Sequence, residues 1–163
     1  MEETVLGFVP LVVIDRFGLG TRNRALLVTS ERMVLIPWDV AQPILGGLLD
    51  SGILQTKGTS RPESVFNPDR WAGTEGSATI PHGVIRSLAC RRTVNTYRFS
   101  LEFVDQTGRG RRLRGFVLPS RQFLRKKKEE GVRPATTAFE YARAMETLFR
   151  KTAIQPPALS WQL

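Results

Sequence analysis

Apolar and polar residues alternate along this chain in two registers. Residues 9–16, VPLVVIDR, form a β-branched apolar run that predicts a strand. FGLGTR, residues 17–22, predicts a glycine-rich turn. RALLVTSERMVLIP then predicts two strands, Ala25–Val28 and Met33–Ile36, joined by a polar turn at residues 29–32. Pro37 ends the second, because proline cannot donate to a ladder. Further on, Tyr97, Phe99, Leu101 and Phe103 alternate with Arg98, Ser100 and Glu102, the pattern of a half-buried strand. DQTGRG supplies a turn, and a return strand follows in which Leu113 and Val117 face the core while Arg112 and Arg114 face out.

Between these groups the pattern breaks. WDVAQPILGGLLDSGIL, residues 38–54, is apolar but interrupted by Pro43, Gly46, Gly47 and Gly52. It reads as a short helix or an apolar loop. One role is a lid over the core. The other is a self-association or membrane-dipping loop built on Ile44, Leu45, Leu48, Leu49, Ile53 and Leu54. The lid is the cheaper arrangement, since exposing that much apolar surface is costly. Residues 55–78 are polar throughout and predict a long excursion. Order resumes at residues 78–92, with Ile85 and Leu88 inside.

The C-terminal part predicts a helix. Pro134 suits a first turn, and Thr137 with Glu140 has capping-box spacing. Ala138, Tyr141, Ala142, Met145, Leu148 and Phe149 make one apolar stripe, with Glu146 and Arg150 one turn apart elsewhere. Residues 119–133 read as a loop, and residues 156–163 as an extended tail. The expected class is therefore all-β with one C-terminal helix, in a single domain spanning 1–155.

Length and composition agree with one core: 163 residues, 41% hydrophobic and 24% charged. MEETVLGFVP starts acidic and predicts no signal peptide, and no apolar run is long enough to span a bilayer. With Cys90 alone, no intrachain disulfide forms, which fits a cytoplasmic protein, whether free or peripheral at the membrane. The net charge of +9 is local: residues 109–128 hold nine basic residues and no acid, and the remainder has fifteen of each sign. A local patch points to an anionic partner better than a uniformly basic surface does. The plainer account is that these charges only solvate a strand and loop.

Chemistry is thinly provided. His82 is the sole histidine and reads as a turn or surface residue. Cys90 reads as a small core residue too far from His82 for direct proton transfer. No CxxC, HExxH or P-loop pattern occurs. The expectation is a protein that is not an enzyme, with no catalytic residue, metal or cofactor.

Several segments resemble prokaryotic pleckstrin-homology-like (PH-like) and GRAM-like domains of archaea and bacteria. LLVTSERMVLIP is similar to their early hairpin, TIPHGVIRSL to the segment opening their second sheet, and FSLEFVDQTGRGRRLRGFVL to the next hairpin. FEYARAMETLF resembles their closing helix, and ILGGLLDSGIL an insert between their two halves. Each motif is loose; their order over residues 9–152 is the more specific signal. The resemblance implies a curved, partly open antiparallel barrel capped by the helix. It also implies a binding domain, for lipids, peptides or proteins, without fixing which.

Three roles follow. In the first, Arg98, Arg109, Arg111, Arg112, Arg114, Arg121, Arg125, Lys126, Lys127 and Lys128 form one patch docking on an anionic surface such as a membrane, with Phe123 and Leu124 inserting shallowly. The second is non-specific nucleic-acid binding by the same patch. The third is a homo-oligomeric protein-interaction scaffold, carried by the insert at 44–54, the sheet edge and Trp161.

Overall fold

The computed structural model describes residues 3–14, 21–45, 54–55, 67–94, 96–117 and 121–163. Its strands are β1 (Val5–Ile14), β2 (Thr21–Thr29), β3 (Arg32–Pro37), β4 (Leu54–Gln55), β5 (Ala78–Pro81), β6 (Ile85–Arg92), β7 (Tyr97–Val104), β8 (Gly110–Val117) and β9 (Leu159–Gln162). Among the described residues four α-helices accompany them: α1 (Trp38–Leu45), α2 (Pro68–Ala72), α3 (Arg121–Glu129) and α4 (Pro134–Arg150). The chain is thus mostly β with a few helices, an α+β arrangement. The expected single helix is one of four α-helices among the described residues.

Two four-strand halves, β5-β3-β2-β1 and β8-β7-β6-β9, join where β1 and β8 pair through Val12↔Phe116 and Val13↔Gly115. β5 and β9 end the path and do not pair with each other among the described residues, so the barrel is not closed. Neighbours along this path pair antiparallel except β9, which among the described strands alone lies parallel, on β6.

The uninterrupted apolar runs of β2 and β3 follow from burial on both faces. Leu26, Val28, Met33 and Leu35 point into the main core, with Phe99, Leu101 and the α4 stripe. Ala25, Leu27, Val34 and Ile36 point the other way, into a second core. Ala41 of α1 and Trp71 of α2 close that second core, with Trp38, Val40 and Ile44 packed beside them. Fully burying a large apolar side chain stabilises by about 1.5–3 kcal/mol, which favours the lid role for the described part of the insert. Ile44 is half-buried there, and Leu54 lies in β4, opposite Phe8. Leu48, Leu49 and Ile53 lie outside the described residues, as does most of the FGLGTR turn.

The polar excursion also carries a helix. Asn67 caps α2, its side chain accepting from the Asp69 N–H at 3.1 Å, and Pro68 starts the first turn. Trp71 then meets Phe8 edge-on, ring centroids 5.9 Å apart. Glu3, near the N-terminus, and Asp69 of α2 both bind Arg32, at 2.8 and 2.6 Å. Burial alone would raise the Glu3 carboxyl, but hydrogen bonds from Arg32 and Thr29 outweigh it and hold the pKa below its ordinary value.

Three local expectations need correction. Residues 121–129 are helical, not loop. Leu, Arg, Lys and Gln are good helix formers, and the helix ends in a Schellman motif. Gly131, at φ 85°, donates to Lys128 O, and the Val132 N–H reaches Lys127 O at 2.9 Å. Thr137 is no cap: α4 begins three residues earlier, at Pro134, and Thr137 is buried inside it. The terminal segment is extended but not a tail. Leu159 is buried beside Leu88, and the Trp161 Nε1–H donates to Ala142 O at 2.8 Å.

Candidate functional site

The strand register sorts the arginines. Along β7 the core face carries Tyr97, Phe99 and Leu101. Arg98, Ser100 and Glu102 therefore face outward, opposite Arg91, Ala89 and Ser87 of β6 and Phe116, Arg114 and Arg112 of β8. Unlike the second-core face of β1–β3, this outward face keeps exposed arginines at 91, 98, 112 and 114. Arg91 and Arg98 stand directly opposite each other, a like-charge pair that costs stability. The Arg98 guanidinium lies 5.9 Å from the Phe116 ring centre.

The two ends of this half-sheet differ. At one end is the β7–β8 turn. There Asp105 binds Arg111 at 2.6 Å, and Glu102 pairs with Arg112. The Asp105 carboxyl is held well below the ordinary carboxylate range, first by the Thr107 hydroxyl and then by Arg111. The positive charge of Arg111 and Arg112 is thus matched by local acids, while Arg109, exposed, belongs to the same turn.

The other end gathers β6's last residues, the β6–β7 turn, the start of β7 and the end of β8. Residues 130–133 lead from α3 to α4. The first turns of α4 lie against the β6–β7 turn, where Phe139 and Tyr97 rings are 6.5 Å apart. A shallow pocket of about 360 Å³ lies between them, bounded by Arg92, Val94, Tyr97, Pro134 and Ala138. This end therefore collects Arg91, Arg92, Arg98 and Arg133, and α3, which packs on α4 through Phe123 and Tyr141, carries Arg125, Lys126, Lys127 and Lys128. Of these, Lys127 alone has an ion-pair partner among the described residues, Glu130 at 3.5 Å. Arg121 opens α3, and its side chain lies outside the described residues.

The ten basic residues expected as one patch are thus divided. Arg98 and residues 125–128 lie toward one end with partners that sequence reasoning missed: Arg91, Arg92 and Arg133; the Arg121 side chain lies outside the described residues. Arg109, Arg111 and Arg112 lie at the opposite end, and Arg114 stands between. The missed signal was periodic: Leu88 and Cys90 inside put Ala89 and Arg91 outside. Phe123 and Leu124 are not projecting tips. Both are half-buried, and the Phe123 ring packs 5.4 Å from that of Tyr141.

Neither His82 nor Cys90 is placed for catalysis. His82 sits in a 3-10 turn before β6 and is buried, not at the surface. Its ring nitrogens lack a hydrogen bond of good geometry among the described residues, and burial depresses its pKa. The Ser30 and Arg32 backbone and the Glu3 charge oppose that shift without reversing it. Cys90 is fully buried, and its thiol is pushed up to about 12, mainly by burial and then by Glu146. Such a thiol supplies no thiolate nucleophile at neutral pH. Among the described residues no group of acidic, histidine and cysteine side chains has the arrangement of a metal site. No described helix is long and apolar enough to cross a membrane.

No protein-family model matches the chain, and no curated protein matches it. Among solved structures it is similar to the hSac2 domain from human phosphoinositide phosphatase Sac2, at 9% identity and a TM-score of 0.47. The match covers 99% of this chain and 78% of that one, and at this score it carries no functional weight.

Proposed function

We propose that this chain is a non-catalytic PH-like domain that docks on an anionic membrane surface. The fold reading is supported by the order of elements: an antiparallel group β1, β2, β3, β5, a second group β6, β7, β8, and α4 packed over the core between them. The docking reading rests on one observation. Basic side chains of β6, β7, α3 and the residue before α4, of which Lys127 alone has an ion-pair partner among the described residues, gather toward one end of the second half-sheet, while Arg111 and Arg112 of the other end are matched by acids. Each exposed Lys or Arg close to an anionic bilayer adds about 1 kcal/mol of attraction, so several acting together hold a domain there.

The test is co-sedimentation at physiological salt with vesicles of phosphatidylserine and phosphatidylcholine, and with phosphatidylcholine alone. The native protein is expected to pellet with the first and not the second. A variant with Arg125, Lys126, Lys127 and Lys128 changed to Ser is expected to stay in solution. Equal pelleting with both vesicle types, or with neither, sinks the reading. Binding to single-stranded nucleic acid in place of vesicles moves the same charges to the other partner class.

A further inference from the structure

The two large hydrophobic side chains that are exposed among the described residues are Val94, 94% exposed, and Phe139, 37% exposed. A single exposed apolar residue is ordinary. These two are not scattered. Val94 borders the pocket at the β6–β7 turn, Tyr97 lines the same pocket, and Phe139 lies against Tyr97. Turn positions favour Gly, Asn, Asp, Ser and Pro, residues that satisfy turn backbone or water. A β-branched apolar side chain there does neither. The turn itself is closed firmly, for the Thr93 N–H and hydroxyl both donate to Thr96 O, at 2.7 and 2.8 Å. Val94 is thus held out on a braced connection.

The charged residues that flank the turn are basic, and Glu130 and Glu140 are exposed acids of the neighbouring connection and helix. Arg91 and Arg92 precede the turn, Arg98 follows it, and Arg133 leads into α4 beside it. All four are exposed, and none forms an ion pair among the described residues. An apolar tip ringed by cations matches the boundary of an anionic bilayer, where lipid headgroups take the guanidinium groups and the tip reaches the first methylenes. Nucleic acid would take the arginines with its phosphates and leave Val94 in water.

We propose that the β6–β7 turn is the point at which the domain enters an anionic membrane, with Val94 and Phe139 as the apolar contacts. This rests on the docking reading above and adds its orientation: the β7–β8 turn, with Arg109 and Arg111, points away from the bilayer. Arg91, Arg92, Arg98 and Arg133 then act as the headgroup ring.

The experiment uses a fluorophore sensitive to its surroundings. Cys90 is the one native cysteine and is buried, so a label goes to an introduced cysteine. Val94→Cys and, as the control at the far end, Gln106→Cys are labelled separately. Each is mixed with vesicles of equal parts phosphatidylserine and phosphatidylcholine. Emission at position 94 is expected to rise and shift blue, and that at position 106 to stay as in water. Val94→Asp, at an exposed position that leaves the core intact, is expected to weaken vesicle binding about tenfold, the loss of one buried valine. Pelleting with position 94 still in water overturns this orientation and leaves membrane docking standing. Failure to pellet at all overturns both.

Discussion

Trp71 anchors the polar middle of the chain. It lies on a helix of five residues, too short to hold itself, and its ring closes the second core against Phe8. Trp71→Ala should cost about 3–5 kcal/mol, the range for removing a large buried aromatic side chain. Urea unfolding followed by far-ultraviolet dichroism measures it. A loss below 1 kcal/mol would mean that α2 does not close the core. His82 sets a second expectation. Its imidazole titrates below the ordinary 6.5 when folded, so the unfolded chain binds the proton first as pH falls. The stability due to neutral His82 is then present above about 6.5 and is lost below it. The lowered Glu3 adds a loss in the same direction, beginning below its ordinary 4.5. The urea midpoint should therefore drop between pH 7.5 and 5.5, and His82→Gln should flatten that slope, whatever it does to the midpoint itself. An unchanged slope would separate acid sensitivity from His82.

Helix α3 shows what can be read at the scale of an element. Its stop depends on Gly131 in the left-handed region, where a side chain is strained. Gly131→Ala should cost about 1–2 kcal/mol, read as a lower melting temperature. The alternation of Tyr97–Phe103 was legible because one face is bare, so the sequence carries the period of two. So was the α4 stripe, all six of whose expected residues are buried. The insert hid the second core, because its partners on β2 and β3 read simply as apolar runs. Helix α3 was hidden by its charges: its only apolar residues are Phe123 and Leu124, too few to show a stripe. Strand β9 was obscured by Pro156 and Pro157 just ahead of it, although Leu159 and Trp161 alternate with Ser160 and Gln162. The alternation of Leu88 and Cys90 with Ala89 and Arg91 was there to be read, but that Arg91 stands opposite Arg98 follows only from the register between two strands.

At the scale of the whole molecule the asymmetry is between two outer faces. The first half-sheet spends α1, α2 and their apolar side chains on covering its outer face. The second keeps four exposed arginines on its own, two of them opposed at Arg91↔Arg98. An arrangement that costs stability and buries nothing calls for a use in binding. The two effects can be separated in one variant. Arg91→Thr removes the opposed charge and puts a good strand residue in its place, so the fold should gain about 0.2–1 kcal/mol in urea unfolding. The same change removes one cation from the docking end, and vesicle affinity should fall about fivefold, equivalent to about 1 kcal/mol. Replacing Arg111 and Arg112 by Ser at the far end, where Asp105 and Glu102 already match them, should leave vesicle affinity within about twofold. Stability rising while affinity falls, at position 91 only, is what a site held at the expense of the fold predicts. If stability and affinity fall together, Arg91 belongs to the architecture of the sheet, and the bare face owes its charge to solvation alone.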